Sequence, residues 1–388
     1  MQKLLTVIVS GAIANKCFNG GATWTRLSWV LGLRKLGCRV FFVEQIAPQS
    51  CVDRNGDASD FATSANLDYF KQVVEAFGLS DSATLLCEDG EQSFGLSAAE
   101  LLAVAETADL LINITGHLTW PPLVRALRRK VYIDLDPGYT QFWHAAGIAG
   151  PRLEGHDFYF TVGENIGTPH CAIPTADIRW RPTRQPVVLD DWPVATTGDP
   201  DRFTTIASWR GPYGAVEYGD KRFGLKVHEF RKFIEMPGRA PQRFEIALDI
   251  HPAEARDLHL LSEHGWQVAA PRAVAGEPFA FRQYVQNSGG EFSVAQGIYV
   301  ETNSGWFSDR TVRYLATGKP ALVQETGFSR FLSVGEGLLS FRSLDEAIAG
   351  AEAIEREYDT HSRTARRVAE EFFDSNKVLN RLLEEVGV

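Results

Sequence analysis

A repeated alternation of short apolar runs with amphipathic stretches constrains the fold of this chain more than any other feature. Leu4 to Val9 is apolar, the stretch ATWTRLSWVLGLRKLG that follows repeats its large apolar residues at helical spacing, and CRVFFVE is dense in β-branched and aromatic residues. This order predicts a strand, a loop, a helix and a buried strand, which is a βαβ unit. Because such connections join parallel strands, we expect a parallel sheet with helices on both faces.

The alternation runs along the chain in two series. The first predicts helices at 66–77, 98–107 and 122–128 and strands at 109–114, 130–135 and 158–162. A stretch rich in proline, threonine and aspartate at 168–200 predicts an interdomain connection. The second series predicts strands at 203–208, 243–248, 266–269 and 320–323, an apolar run at 294–301, helices at 223–235, 252–264, 278–286, 308–317 and 344–353, and a final helix at 365–385. At 388 residues, two domains are expected.

The first residues have two interpretations. In the first, the apolar run and the triplet Ala12-Ile13-Ala14 form a secretion signal that is cleaved after Ala14. In the second, the run is the first strand, and Asn19-Gly20-Gly21 is the loop that opens a helix. The run is shorter than the ~7 to 15 residues of a signal core. The five cysteines are widely spaced and form no C-x-x-C pair. This pattern argues against a disulfide framework or structural zinc, so we expect a cytoplasmic protein.

Charge and hydropathy exclude other classes. The net charge is −10, and the longest basic run is Arg128-Arg129-Lys130, so no nucleic-acid partner is expected. No segment reaches the roughly 20 apolar residues of a membrane span, which leaves peripheral membrane contact open.

The stretch ETNSGWFSDRTVRYLATGKPALVQETG, at 301–327, is the strongest candidate for a binding site. It predicts a strand that runs into a Ser304-Gly305 loop, then a helix that Ser308 caps. Amide groups at a helix N-terminus suit a diphosphate, although an ordinary capped βα turn has the same sequence. The candidate donor-binding residues here are Ser304, Gly305, Trp306, Ser308, Asp309 and Arg310.

The run RYLATGKPALVQETG, followed by LSVGEGLLSFRSLDEAI, resembles the donor-binding end of group 1 glycosyltransferases of the GT-B fold. The resemblance implies two Rossmann-like doubly wound α/β domains that face a cleft, with a C-terminal helix crossing back to the N-terminal domain. It implies an acceptor-binding domain at 1–190, a donor-binding domain at 200–360 and the crossing helix at 361–388. Where many retaining members carry two glutamates, this chain has Gly305 and Arg313, so the stereochemistry stays open.

The same resemblance implies a hexosyltransferase-type reaction. A nucleotide diphosphate-sugar would be the co-substrate, a small molecule or glycan the acceptor, and neither a further cofactor nor a metal would be needed. A basic residue after the first strand of the second domain would hold the phosphates, which indicates Arg210 and Lys221 in SWRGPYGAVEYGDKRFGLK. The loop with Gly20 and Gly21 would lie beneath the donor.

Two side chains follow predicted strands of the first domain and are the candidate catalytic residues. His117 follows the strand at 109–114, and Asp136 follows the strand at 130–135. Either side chain could serve as a base, and both are also typical of structural loop residues. Trp24, Trp29, Tyr139, Phe142 and Trp143 are consistent with an apolar acceptor pocket or with core. Two other functions remain open, a nucleotide-sugar 2-epimerase and a non-catalytic two-lobe binding protein.

Overall fold

The N-terminal half of the molecule is built around one large sheet. The computed structural model describes residues 4–88 and 90–388. In chain order this half contains β1 (Thr6–Ser10), α1 (Gly20–Lys35), β2 (Arg39–Ile46), α2 (Ala65–Ala76), β3 (Ala83–Cys87), β4 (Gln92–Phe94), α3 (Ala98–Thr107), β5 (Leu110–Ile114), α4 (Pro121–Ala126), β6 (Lys130–Asp134), α5 (Tyr139–Ala145), β7 (Phe158–Thr161) and β8 (Trp180–Pro182). The strand order is β4-β3-β2-β1-β5-β6-β7-β8, and only β4 is antiparallel to its neighbour.

The C-terminal half contains a second, wholly parallel sheet of six strands. Its elements are β9 (Arg202–Ser208), β10 (Glu217–Tyr218), β11 (Lys221–Arg222), α6 (Lys226–Phe230), α7 (Met236–Arg239), β12 (Arg243–Asp249), α8 (Ala255–Glu263), β13 (Gln267–Ala269), α9 (Pro271–Ala275), α10 (Pro278–Gln286), β14 (Gly290–Ser293), α11 (Gly297–Glu301), α12 (Asp309–Ala316), β15 (Ala321–Gln324), β16 (Leu338–Phe341), α13 (Leu344–Arg356), α14 (Tyr358–Phe372) and α15 (Ser375–Val386). The strand order is β13-β12-β9-β14-β15-β16, and β10 and β11 form a separate hairpin.

Both sheets are buried on two faces, as the apolar runs predict. In β1, Val7 and Val9 belong to the largest core cluster, whereas Ile8 belongs to a second cluster across the sheet. The strand order reverses between β1 and β5, and again between β9 and β14. Loops diverge at such switch points and leave a crevice beyond the carboxyl ends of the strands. The two-sheet α/β architecture predicted from the sequence is therefore confirmed.

The end of the chain packs back on the N-terminal half, as the resemblance implies. Helix α15 contacts α1, and Val187 pairs with Asp374 in a short parallel bridge. The predicted single helix at 365–385 was wrong, however, because two helices cover this region. Phe373 turns inward to stack on Phe307, and Asp374 starts α15 by accepting the Asn376 amide.

Two further predictions of elements were wrong. The stretch at 168–200 is not only a connection, because it contains β8, which pairs with the edge strand β7. No strand enters the Ser304-Gly305 loop directly, because the short helix α11 lies between β14 and that loop. The strand β3 and its hairpin partner β4 were also missed.

Candidate functional site

A cleft of about 540 Å³ lies between the two halves, at the switch points of both sheets. The N-terminal half contributes the loop after β1, the first two turns of α1 and the end of β6. The C-terminal half contributes the end of β9, helix α9 and the first turn of α12. Side chains that line the cleft include Lys16, Thr25, Arg26, Asp136, Asp249, Arg272, Asp309 and Arg310.

Helix α1 points its first turn at this cleft. Asn19 caps the helix by accepting the Ala22 amide at 2.9 Å, and Gly21 lines the cleft. Gly20 faces the C-terminal half instead, since a Cβ there would lie 2.4 Å from the Glu277 carbonyl oxygen. The glycine therefore permits a close approach between the two halves.

Among the residues that the structure describes, four cationic side chains line the cleft, and the sequence analysis identified only Arg310. That guanidinium is held by the Glu291 carboxylate, the Ile206 carbonyl and the Ser293 hydroxyl. Arg272 stacks on Phe18 and donates to a backbone carbonyl. The remaining two are Lys16, after β1, and Arg26, on α1. Neither lies in a recognisable motif, so only the folded chain brings them together.

Asp309 joins the two halves across the cleft. Its Oδ2 accepts the Thr25 hydroxyl of α1 at 2.7 Å and an Arg313 N–H at 3.0 Å. Ser308 caps α12 as predicted, accepting the Arg310 amide at 3.2 Å. Asp309 is thus in the cleft, but its carboxylate is already engaged in a contact between the halves.

The Ser304-Gly305-Trp306 loop corrects the prediction of a free amide cradle. The Ser304 amide donates to Tyr299, the Gly305 amide to Thr326, and the Trp306 amide to the Ser304 hydroxyl. The loop also packs on the N-terminal half, where a Cβ on Gly305 would lie 2.8 Å from the Asn165 nitrogen. These three amides are therefore occupied, and only the Trp306 side chain of this loop reaches the cleft.

The positions of Arg210 and Lys221 also differ from the predicted position beside the donor phosphates. Arg210 forms a bidentate ion pair with Glu254, which raises the pKa of the guanidinium, and it does not line the cleft. Lys221 is exposed in the β10–β11 hairpin. The loop that carries both residues packs on α5 through Tyr213 and Tyr218, and neither Arg210 nor Lys221 lines the cleft.

The two candidate catalytic residues line different cavities. Asp136 lies in the cleft, where its carboxylate accepts the Tyr299 hydroxyl at 3.4 Å. His117 lies in an adjoining side cavity of about 540 Å³, at the carboxyl ends of β2 and β5. Burial, together with the positive charge of Arg26, lowers the pKa of His117 to about 3. The imidazole is therefore neutral at neutral pH.

Glu44 connects these regions, and the sequence analysis did not identify it. Its carboxylate is fully buried and accepts the amides of Ile13, Ala14 and Asn15 at 2.7 to 2.8 Å. The same group lies 3.8 Å from His117 Nε2. Burial raises the pKa of Glu44 to about 7, although the three amide donors lower it. The sequence signal that could have identified Glu44 is the presence of an acidic residue within the dense apolar run of β2.

The side cavity is polar. Besides His117, its lining includes Asn15, Gln45, Ser50, Glu88, Glu91, Thr119 and Arg152, and the described residues place no Phe, Tyr or Trp there. The aromatic residues proposed for an apolar acceptor pocket lie elsewhere. Trp24, Trp29, Tyr139 and Phe142 are core residues, and Trp143 packs against Tyr213.

The described part of the chain offers no group of three or more His, Cys, Asp or Glu side chains arranged to hold a metal ion. In residues 4–88 and 90–388, we also find no helix with the length and apolar character that crossing a membrane requires.

Comparison with known proteins finds similarity in structure and none in sequence. No family model matches the sequence, and no curated protein matches it. An alpha-glucosyltransferase solved with UDP and a 13-mer DNA superposes with a TM-score of 0.60 and 11% identity over 100% of both chains. Anabaena HepE with UDP gives 0.56 and 12% over 99% of both chains. Sucrose-phosphate synthase from Thermosynechococcus elongatus gives 0.53 and 11% over 98% of this chain and 99% of the other. At this identity, the comparisons show the fold that the chains share.

Proposed function

Because the chain has the GT-B fold, we propose that it is a glycosyltransferase that moves a sugar from a nucleotide diphosphate-sugar to an acceptor hydroxyl. The observation that carries the proposal is the cleft at the switch points of both sheets, where cationic side chains from the two halves surround one cavity. A diphosphate needs cations of this kind, and open α/β sheets bind their ligands at this edge. The structural neighbours solved with UDP make UDP-sugars the first donors to test.

The side cavity supports transfer to a separate acceptor. It adjoins the cleft, since Asn15 lines the cavity and Lys16, the next residue, lines the cleft. Polar side chains line the cavity, which suits an acceptor that presents several hydroxyl groups. An epimerase needs no such second cavity, and this favours transfer over 2-epimerisation.

We assign different roles to the two candidate catalytic residues. Asp136 lies in the cleft and is the carboxylate placed to act on the sugar or on the attacking hydroxyl. His117 is a weak base because its pKa is lowered to about 3, so it would orient the acceptor by hydrogen bonding. The proposal includes a cytoplasmic location, no nucleic-acid partner and no requirement for a metal.

A product assay tests the proposal. The protein is incubated with UDP-glucose, UDP-galactose or GDP-mannose, with and without a panel of monosaccharide and polyol acceptors, in the presence and absence of EDTA. We expect nucleoside diphosphate release that increases with one acceptor, together with a glycosylated product by mass spectrometry. Conversion of the donor to an isomeric nucleotide-sugar without acceptor would replace transfer by epimerisation, and binding without turnover would favour a non-catalytic protein.

A further inference from the structure

Arg26 is a buried cation without a partner of opposite charge. The residue is 5% exposed, and no carboxylate lies within 4.0 Å of its guanidinium among residues 4–88 and 90–388. Its Nη1 donates to the Ala22 carbonyl, and its buried Nε has no acceptor. A charge removed from water without compensation is strongly unfavourable. The site therefore has an unmet requirement for an anion.

The nearby carboxylates do not meet this requirement. Asp309, Asp136 and Glu44 act on Arg26 at longer range, and each has another partner. Asp309 accepts Thr25 and Arg313, Asp136 accepts Tyr299, and Glu44 accepts three backbone amides. These three carboxylates thus offset only part of the cost of burying the guanidinium, whose pKa stays lowered by burial, and none of them forms a direct ion pair with it.

A second cation stands beside it. Lys16 is exposed to the cleft at the end of the turn Ala14–Lys16, and the positive charge of Arg26 is the main cause that lowers the pKa of its ammonium group. Lys16, just before α1, and Arg26, in its second turn, are therefore two cations that line the same cleft and repel each other. The leading amide groups of that helix have no acceptor within it and carry the positive end of its dipole.

We propose that Lys16 and Arg26 bind the phosphates of the donor, in place of Arg210 and Lys221. This inference rests on the proposed function, since it identifies the part of the cleft that holds the diphosphate. A dianionic or trianionic phosphate group compensates both cations, and a guanidinium can bind phosphate oxygens through two N–H groups. In this proposal the N-terminal half binds the departing nucleoside diphosphate as well as the acceptor.

Binding measurements on Lys16→Gln test the assignment directly. Calorimetry compares UDP and uridine, with Lys35→Gln on the last turn of α1 as the matched control. We expect UDP affinity to fall roughly 10- to 100-fold in Lys16→Gln. Uridine affinity should stay unchanged, because uridine has no phosphate. The control should bind UDP as the wild type does. Where the wild type binds UDP, an equal UDP affinity in Lys16→Gln overturns the inference.

Arg26→Met supplies a readout that a structural role would not give. If the guanidinium awaits an anion, its removal should leave the melting temperature of the free protein unchanged or higher, while the rise in melting temperature with UDP becomes smaller. A purely structural arginine would give a lower melting temperature and an unaltered UDP shift. That second result overturns the inference.

Inorganic pyrophosphate separates this inference from the proposed function. If pyrophosphate raises the melting temperature of the wild type but not of Lys16→Gln, the anion site stands even when no nucleotide in a panel of UDP, GDP, ADP and TDP binds. In that case only the nucleotide-sugar proposal fails. Equal protection of both proteins by pyrophosphate means that the anion binds elsewhere, and the inference is wrong.

Discussion

Glu44 shows how one residue can tie a loop to a site. Its carboxylate holds three consecutive amides of the turn after β1, and this turn positions both Asn15 and Lys16. The sequence could not reveal this role, because the three donors are backbone groups some 30 residues away in the chain. The same limit applies to Lys16 and Arg26. Both line the cleft, and among the residues that the structure describes neither forms an ion pair, which the sequence alone does not show.

Glu44 should make the stability of the protein depend on pH. Its pKa is raised from 4.5 to about 7, so its favourable contribution is complete below pH 4.5 and is lost as the pH rises through about 7. The raised pKa corresponds to about 3 kcal/mol, as an order of magnitude. We expect the free energy of unfolding of the wild type, relative to Glu44→Gln, to fall by up to that amount between pH 4.5 and 8. Urea denaturation at several pH values measures it, and a constant difference would contradict the raised pKa.

The predicted elements succeed or fail for local reasons. Strands such as β1, β2 and β12 were predicted because they are buried on both faces and form dense apolar runs. The short strands β4 and β8 have too few residues to show a period. The break between α14 and α15 was missed because both sides have helical spacing. The local signal was Asp374, which caps α15, and Phe373 before it stacks on Phe307.

The amide cradle at Ser304-Gly305-Trp306 failed for a related reason. A glycine loop before a capped helix is compatible with a free anion site or with a loop that docks on another part of the chain. Here the second outcome holds, since the Asn165 amide donates to the Ser304 carbonyl and Gly163 pairs with Trp306. Contacts between distant segments decide between these outcomes. Such contacts cannot be read from a single sequence.

Gly20→Ala tests the approach of α1 to the C-terminal half. The added Cβ would meet backbone oxygens of Glu277 and Ala275, which cannot rotate away as a side chain would. We expect a loss of about 1–3 kcal/mol in the free energy of unfolding and a larger radius of gyration by small-angle scattering. Gly238→Ala is the control, because nothing lies within 4 Å of its Cβ position. Equal stability of the two variants would show that the halves do not meet at Gly20.

At the scale of the whole molecule, the final helices join the halves. Helix α14 packs on α12 of the C-terminal half, and α15 packs on α1 of the N-terminal half. Arg366, on α14, donates to the Trp192 carbonyl and to the Ala316 carbonyl. The architecture was predictable because it follows from the order of elements and from the resemblance. The cluster of charged side chains in the cleft was not predictable, since these side chains come from separate segments of the chain.

Removal of α15 should prevent folding. The helix buries Val378, Leu379, Leu382, Leu383 and Val386, and Leu379 packs so closely on α1 that a Cβ on Gly32 would lie 2.6 Å from its Cδ1. Burial of one such side chain contributes about 1.5–3 kcal/mol, so the helix contributes on the order of 10 kcal/mol. A whole domain is stable by about 5–15 kcal/mol.

A chain that ends at Asp374 should therefore accumulate as aggregated protein, whereas a chain that lacks only the exposed Val388 should remain folded. Soluble yield, circular dichroism and the cooperativity of thermal unfolding distinguish the two chains. If the shorter chain unfolded cooperatively near the wild-type temperature, α15 would be a peripheral addition. The remaining contacts between the halves, among them the α1–α10 contact, the Thr25–Asp309 hydrogen bond and the Gly163–Trp306 bridge, would then be enough to hold them together. Because α15 covers an apolar face of α1, whose first turn borders the cleft, its loss should also disturb the site itself.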